Sequence, residues 1–196
     1  MKVMQLLPEL NSGGVERGTL EIARALIQDG HQSVVVSNGG RLVAQLQAEG
    51  SQHVSLAIHK KSLASLWQIR PLRQLIQQQQ PDIVHVRSRV PAWLLHFALK
   101  GLPVRQRPHL ISTVHGFYSI NRYSAIMTQA EKVIAVSNSV VKYITDHYKN
   151  CPPEDIVRIY RGIDPSAFPH GYQPPVQWIN QTFVDFPQLE HKFLIC

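Results

Sequence analysis

LPELNSGGVERGTLEIARAL, residues 7–26, follows an apolar run at 3–7 and carries Gly13, Gly14 and Gly18 into a helical pattern. Val15, Ile22, Ala23 and Leu26 mark one face of that helix. A strand, a glycine turn and an amphipathic helix in that order open a parallel α/β unit. Such a turn aims backbone N–H groups and the positive end of a helix dipole at one point, which favours an anion. Two familiar versions are excluded. A P-loop needs a lysine and a Ser or Thr after its last glycine, and here Thr19 and Leu20 follow Gly18. The dinucleotide fingerprint needs G-x-G-x-x-G and an acid closing the second strand; this is G-G-x-x-x-G, and the second strand closes on Ser37, Asn38, Gly39 and Gly40. The turn therefore reads either as a phosphate site or as a tight turn with no ligand.

The same alternation continues along the chain. Short runs rich in Val and Ile predict strands at 3–7, 33–37, 53–58, 82–86, 109–114, 132–136 and 156–160. Several of these runs are apolar throughout, which suits strands buried on both faces. Helical patterns lie between them, with Gly30 and Gly50 placed as C-terminal caps and Pro81 ending a glutamine-rich helix. The expected fold is α/β, Rossmann-like and doubly wound: a mostly parallel sheet of about seven strands with helices on both faces. After Tyr160 the character changes. Prolines recur at 165, 169, 174, 175 and 187 without periodicity, which reads as a linker. The final HKFLIC either packs back onto the domain or begins a strand of a second one. The expected division is a domain at 1–170, then a linker and the start of a further domain at 171–196.

In open parallel sheets ligands bind at the carboxyl ends of strands. His115, in STVHGFYS, closes the fifth strand and is followed by Gly116, at the edge where Gly13 and Gly14 lie. An imidazole there, with an ordinary pKa of about 6.5, serves as proton carrier or hydrogen-bond donor; the alternative is a histidine that caps backbone. Arg87, Ser88 and Arg89 follow the fourth strand at the same edge, and Arg17 lies in the first turn of the first helix.

Composition narrows the function classes. The 196 residues are 44% hydrophobic, enough for one domain with a full core, and 20 Lys and Arg stand against 13 Asp and Glu, for a pI near 9.6. A basic balance suits anionic partners. Two cysteines, Cys151 and Cys196, give neither a disulfide framework nor a zinc spacing, so a reducing cytoplasm is expected. No D-x-D pair, H-E-x-x-H or G-x-S-x-G occurs, and the ten histidines lack ligand spacing, so neither a metal nor a resident cofactor is expected. Nucleic acid is not expected as a partner, since aromatics do not interleave with the charges. The segment HKKSLASLWQIRPLRQLI, residues 59–76, joins Lys60, Lys61, Arg70 and Arg73 to Leu66, Trp67 and Ile69. It reads as a basic helix lying on an anionic membrane or as a sheet-packed helix with a solvated basic face.

Several stretches occur together in order: GGVER, GHQSVVVS, PDIVHVRS, TVHGF, KVIAVSNSV and YRGIDPSAF. Over about residues 1–170 this set resembles the N-terminal half of family 4 glycosyltransferases of the GT-B fold. The resemblance implies an acceptor-binding domain of a retaining, metal-independent enzyme. Such an enzyme moves a hexosyl group from a nucleotide-sugar to a glycan or lipid-linked acceptor, in cell-envelope polysaccharide or lipopolysaccharide synthesis, in the cytoplasm or peripherally at the inner membrane face. It implies that Gly13 and Gly14 offer N–H groups to the donor diphosphate and that His115 stands beside the transferred sugar. It implies an acceptor contact for Arg17, Arg87, Ser88 and Arg89. Arg161 stands where the family usually has Asn. The family's donor domain carries two glutamates eight positions apart, and no pair of glutamates here has that separation, so this chain by itself is expected to be inactive. The reading from a different class is a non-catalytic Rossmann-like module that binds a nucleotide or phosphosugar.

Overall fold

The computed structural model describes residues 1–163, 165, 169–190 and 192. Seven strands form one sheet: β1 (Lys2–Leu6), β2 (Gln32–Ser37), β3 (Gln52–Ser55), β4 (Ile83–Val86), β5 (His109–Val114), β6 (Lys132–Ala135) and β7 (Ile156–Arg158). Every pairing is parallel, and the order is β3-β2-β1-β4-β5-β6-β7. Each predicted strand is present, shortened by a residue or more at one end in most cases. The chain winds outward from β1 in one direction and from β4 in the other, so the order reverses between these two neighbours. That switch point is where an open parallel sheet leaves a crevice beyond its carboxyl edge.

Helices cover both faces. Along β2, Val34 and Val36 join one apolar cluster and Val35 the other, as strand alternation requires. The smaller cluster holds Leu20 and Ala23 of α1 (Gly14–Gln28) and Leu46 of α2 (Val43–Ala48). The larger one packs the opposite face with Leu72 and Ile76 of α3 (Ile69–Gln79), Leu95 and Ala98 of α4 (Arg89–Lys100), and Val140 and Ile144 of α5 (Asn138–His147). Each fully buried Leu or Ile contributes about 1.5–3 kcal/mol, so these two layers fix the strand register and hence the edge that carries the site.

Gly30 and Gly50 do follow helices. Gly30 N–H donates to the Ile27 carbonyl at 3.0 Å and His31 N–H to Leu26 at 2.8 Å, the paired bonds that close a helix end, and Gly50 and Ser51 repeat the pattern on Gln47 and Leu46. The basic segment at 59–76 is not one helix. A 3-10 turn, Leu63–Gln68, precedes α3, because Pro71 has no N–H and its ring crowds the carbonyl four residues back.

Residues 1–160 form one compact unit and 161–196 another. In the stretch read as linker the second unit holds a helix, α6 (Val176–Asp185), which buries none of its residues. Of HKFLIC, only Lys192 is among the described residues, so the terminal strand lies outside them.

Candidate active site

The site is built at the carboxyl edge around the switch point. β1 leads into a loop that ends at Gly13, the N-cap of α1, with φ 134° and no side-chain cap. Gly13 and Gly14 are exposed there. Glu16 folds its carboxylate back over Gly13, with Oε2 only 2.7 Å from where a Cβ on Gly13 would stand. An acid in that place suits the positive end of the helix.

The loop is braced from β2. Leu10 N–H donates to the Gly39 carbonyl at 2.8 Å and Leu42 N–H to Leu10 at 2.8 Å. Arg41 Nε donates to the Asn11 carbonyl at 2.7 Å. Gly40, at φ 140°, lies so close to this loop that a Cβ would stand 2.4 Å from the Leu10 carbonyl carbon. SNGG holds no acid for a ribose; in the structure it holds the glycine turn in place.

β4 delivers Arg87 and Ser88. Ser88 is the N-cap of α4, and its hydroxyl caps no helix N–H. The α5 terminus differs, since Ser137 Oγ accepts from Val140 N–H at 3.2 Å. Arg87 is only 4% exposed, and its Nη1 donates to Gln5 Oε1 at 3.2 Å. Arg89 is half-buried. Its guanidinium lies 4.8 Å from the Tyr118 ring centroid and 5.4 Å from that of Tyr123, and Nη1 donates to Ser124 Oγ at 3.2 Å. Arg17 is exposed on the first turn of α1.

β5 delivers His115, half-buried, whose backbone N–H donates to the Tyr118 hydroxyl at 3.4 Å. Tyr118 is held in turn by Arg89 and by Tyr143, whose hydroxyl donates to the Tyr118 carbonyl at 2.7 Å. Among the described residues, none other than its two chain neighbours comes within 4 Å of where a Cβ on Gly116 would stand. The structure thus brings Gly13, Gly14, Arg87, Ser88 and His115 to the ends of three adjacent elements, the α1 turn, β4 and β5, with Arg17 and Arg89 one helical turn or less away.

Beneath this edge runs a polar row that the sequence reading missed. Gln5 of β1 pairs with His85 of β4, and His85 Nε2 lies 2.7 Å from Thr113 Oγ1 on β5. Gln5 is fully buried, and its Nε2 donates to the Thr19 carbonyl in α1 at 3.1 Å. One chain of bonds therefore ties α1, β1 and the Arg87 guanidinium together. Burial pushes the His85 imidazole down to about 3, and the charges of Arg87 and His115 push in the same direction. His85 is thus neutral at any physiological pH. The signal was present in PDIVHVRS, where His85 and Arg87 alternate with Val84 and Val86, but its partners lie on other strands.

A cavity of about 560 Å³ opens at the opposite end of the strands, between Gln80, Asp82, Arg105 and His109. It is broad and solvent-facing, and it is far from the strand ends that position His115 and the α1 turn.

The glycosyltransferase family 4 model matches residues 12–167, which takes in the glycine turn, the β4 and β5 ends and the whole sheet after β1. The chain belongs to glycosyltransferase family 4. A glycosyltransferase from Rickettsia africae is 32% identical with a TM-score of 0.75, over 95% of this chain and 49% of that one. The Anabaena HepE protein, solved with UDP-glucose, is 17% identical with a TM-score of 0.71, over 95% of this chain and 50% of its own. The lipopolysaccharide outer core galactosyltransferase WaaB is 14% identical with a TM-score of 0.65, over 84% and 46%. The last two show a shared fold. This family 4 chain spans about half the length of each of these three solved structures. No curated protein matches it significantly. The resemblance drawn from the ordered motifs is therefore correct at the level of family and fold.

Proposed function

We propose that the chain is the acceptor-side half of a retaining, metal-independent hexosyltransferase that uses a nucleotide-sugar donor. One observation carries the reading: the glycine turn, Ser88 and His115 stand at the carboxyl edge of β1, β4 and β5, at and beside the switch point of a family 4 domain. The Anabaena structure with UDP-glucose supports a nucleotide-sugar as donor, and WaaB supports an envelope glycan as product class.

In this reading Gly13 and Gly14 give backbone N–H groups to the donor diphosphate, and Glu16 swings off the helix end to admit it. His115 bonds to the transferred sugar. A bond that strengthens as charge builds there stabilises the transition state more than the ground state. Arg17, Ser88 and Arg89 meet the acceptor. The buried Arg87 supplies a fixed positive charge at the strand end, held in place by Gln5. The acceptor is a glycan or a lipid-linked glycan. The work is done in the cytoplasm at the inner face of the membrane; among the described residues no helix is long and apolar enough to cross it.

Residues 1–170 form the acceptor domain of this reading, and 171–196 lead toward a donor-binding half. The test compares sugar-nucleotide consumption by a protein that carries both halves with that of the 196-residue chain. Transfer by the two-half protein and none by the shorter chain is expected. Turnover by the 196-residue chain above a mock preparation contradicts the division of labour.

A further inference from the structure

The basic charge is concentrated in one part of the chain. Residues 50–130 hold ten Lys and Arg and a single acid, Asp82, while the remainder holds ten bases and twelve acids. Asp82 sits at the far end of the sheet, where it accepts from the Lys2 backbone N–H at 2.6 Å. The loop after β3, residues 115–123 after β5 and the start of α4, which rise from the same edge as His115, therefore carry cations and no carboxylate; Glu131, just before β6, is bonded to His109 at the far end.

These elements also expose large apolar side chains. In the 3-10 turn Leu63 is 84% exposed and Trp67 80%, and Leu66 is exposed beside them. Phe117 and Ile120 are exposed on the loop after β5. Lys60 and Lys61 flank the turn. Lys61 Nζ stands 4.5 Å from the Tyr123 ring centroid, and Trp93 stacks on that ring at 6.5 Å and 11°. Between the turn and α4 runs an apolar groove of about 120 Å³, floored by Leu66, Trp93 and Phe97 and rimmed by the two lysines. The second half of the basic segment does not contribute to this surface. Leu72, Leu75 and Ile76 of α3 are buried, and Arg73 Nε donates to the Ala98 carbonyl at 3.0 Å.

A solvated basic face needs no exposed Trp and Leu at the tip of a turn. An interfacial anchor needs both, with cations beside them and no acid to repel anionic headgroups. We propose that this surface docks the domain on an anionic phospholipid bilayer, with Leu63 and Trp67 entering the interface and Lys60 and Lys61 against lipid phosphates. The inference deepens the membrane part of the proposed function and is independent of sugar transfer. It also places the crevice at His115 next to the bilayer, where a lipid-linked acceptor arrives.

The test is co-sedimentation of the 196-residue chain with vesicles of phosphatidylcholine alone and of phosphatidylcholine with phosphatidylglycerol. Binding is expected only to the anionic vesicles. Lys60→Gln with Lys61→Gln should weaken it by about fivefold per lysine, so about twenty-five-fold together. Leu63→Ser with Trp67→Ser should weaken it about tenfold or more, with the melting temperature unchanged because both side chains are exposed. Lys142→Gln with Lys149→Gln, an equal charge loss on α5, should change it by less than about threefold. Anionic-vesicle binding that all three variants retain equally overturns this surface and leaves the membrane reading standing. Loss with the lysine pair but not with the Leu63 and Trp67 pair reduces the contact to adsorption and overturns the insertion. No binding by the unmodified chain overturns both.

Discussion

Lowering the pH from 7 to 5 should remove about 2 kcal/mol of stability through His85 alone. In the folded chain this imidazole is buried against Thr113, with Arg87 and His115 as its charged or chargeable neighbours, and it stays neutral down to about pH 3. In the unfolded chain it titrates near the ordinary histidine value of about 6.5. Between those values the unfolded chain binds a proton that the folded chain refuses. Stability from this group is therefore present in full above about pH 6.5, falls by about 1.4 kcal/mol per pH unit below it, and stops falling near pH 3. Two units of acidification take a large share of the roughly 5–15 kcal/mol that a domain has. His53 and His96 are also pushed down, chiefly by burial, and add a slope of the same sign. Exposed His109 is raised, first by its hydrogen bond to Glu131, and acts in the opposite sense. A paired comparison removes these contributions. Urea unfolding of the native chain and of His85→Leu with Thr113→Val, at several pH values from 7.5 to 4.5, isolates the His85 share. The double change removes both polar partners, so neither is left unsatisfied. The native chain should lose about 2.6 kcal/mol more than the variant over that range, about 2 kcal/mol of it between pH 7 and 5. Equal slopes would refute a neutral, buried His85, as would a directly observed imidazole titration near pH 6.5 in the folded chain.

Gly40→Ala should cost about 2 kcal/mol or more, because its Cβ meets the Leu10 backbone and the residue sits at φ 140°. In a melting scan that is a drop of about 4–8 °C; an unchanged melting temperature would show that the loop shifts freely. Hydrogen exchange of α6 should be nearly as fast as in an unstructured peptide, since ten residues with no buried side chain make a marginal helix. Protection there equal to that of β1 and β4 would contradict this.

The strands were legible because parallel strands buried on both faces favour runs of Val and Ile, and 33–37 and 82–86, with three of five positions each, show it without tertiary information. The site edge was legible for the same reason: where a strand ends, the next residues stand at the crevice, which located Gly13, Arg87 and His115. The state of those side chains was not. Arg87 reads as a cleft cation in sequence but is buried on Gln5, 82 positions away. His85 carries no sequence signal of its partner, because Thr113 reaches it only through the sheet. The segment at 59–76 read as one amphipathic helix because its charges and apolar residues alternate suitably. Pro71 breaks it, and only the part before the break presents its apolar residues to solvent. α6 escaped notice because prolines on both sides of it dominated the local pattern.

The central claim is that His115 acts on the transferred sugar. Its most direct test is turnover and melting temperature measured on one preparation of His115→Ala, in a protein that carries both halves of the enzyme. The expected result is a turnover number lowered about ten- to a thousand-fold, Michaelis constants that change far less, and a melting temperature close to that of the native protein. A variant that melts earlier but keeps full turnover would make His115 a structural cap and remove it from the active site.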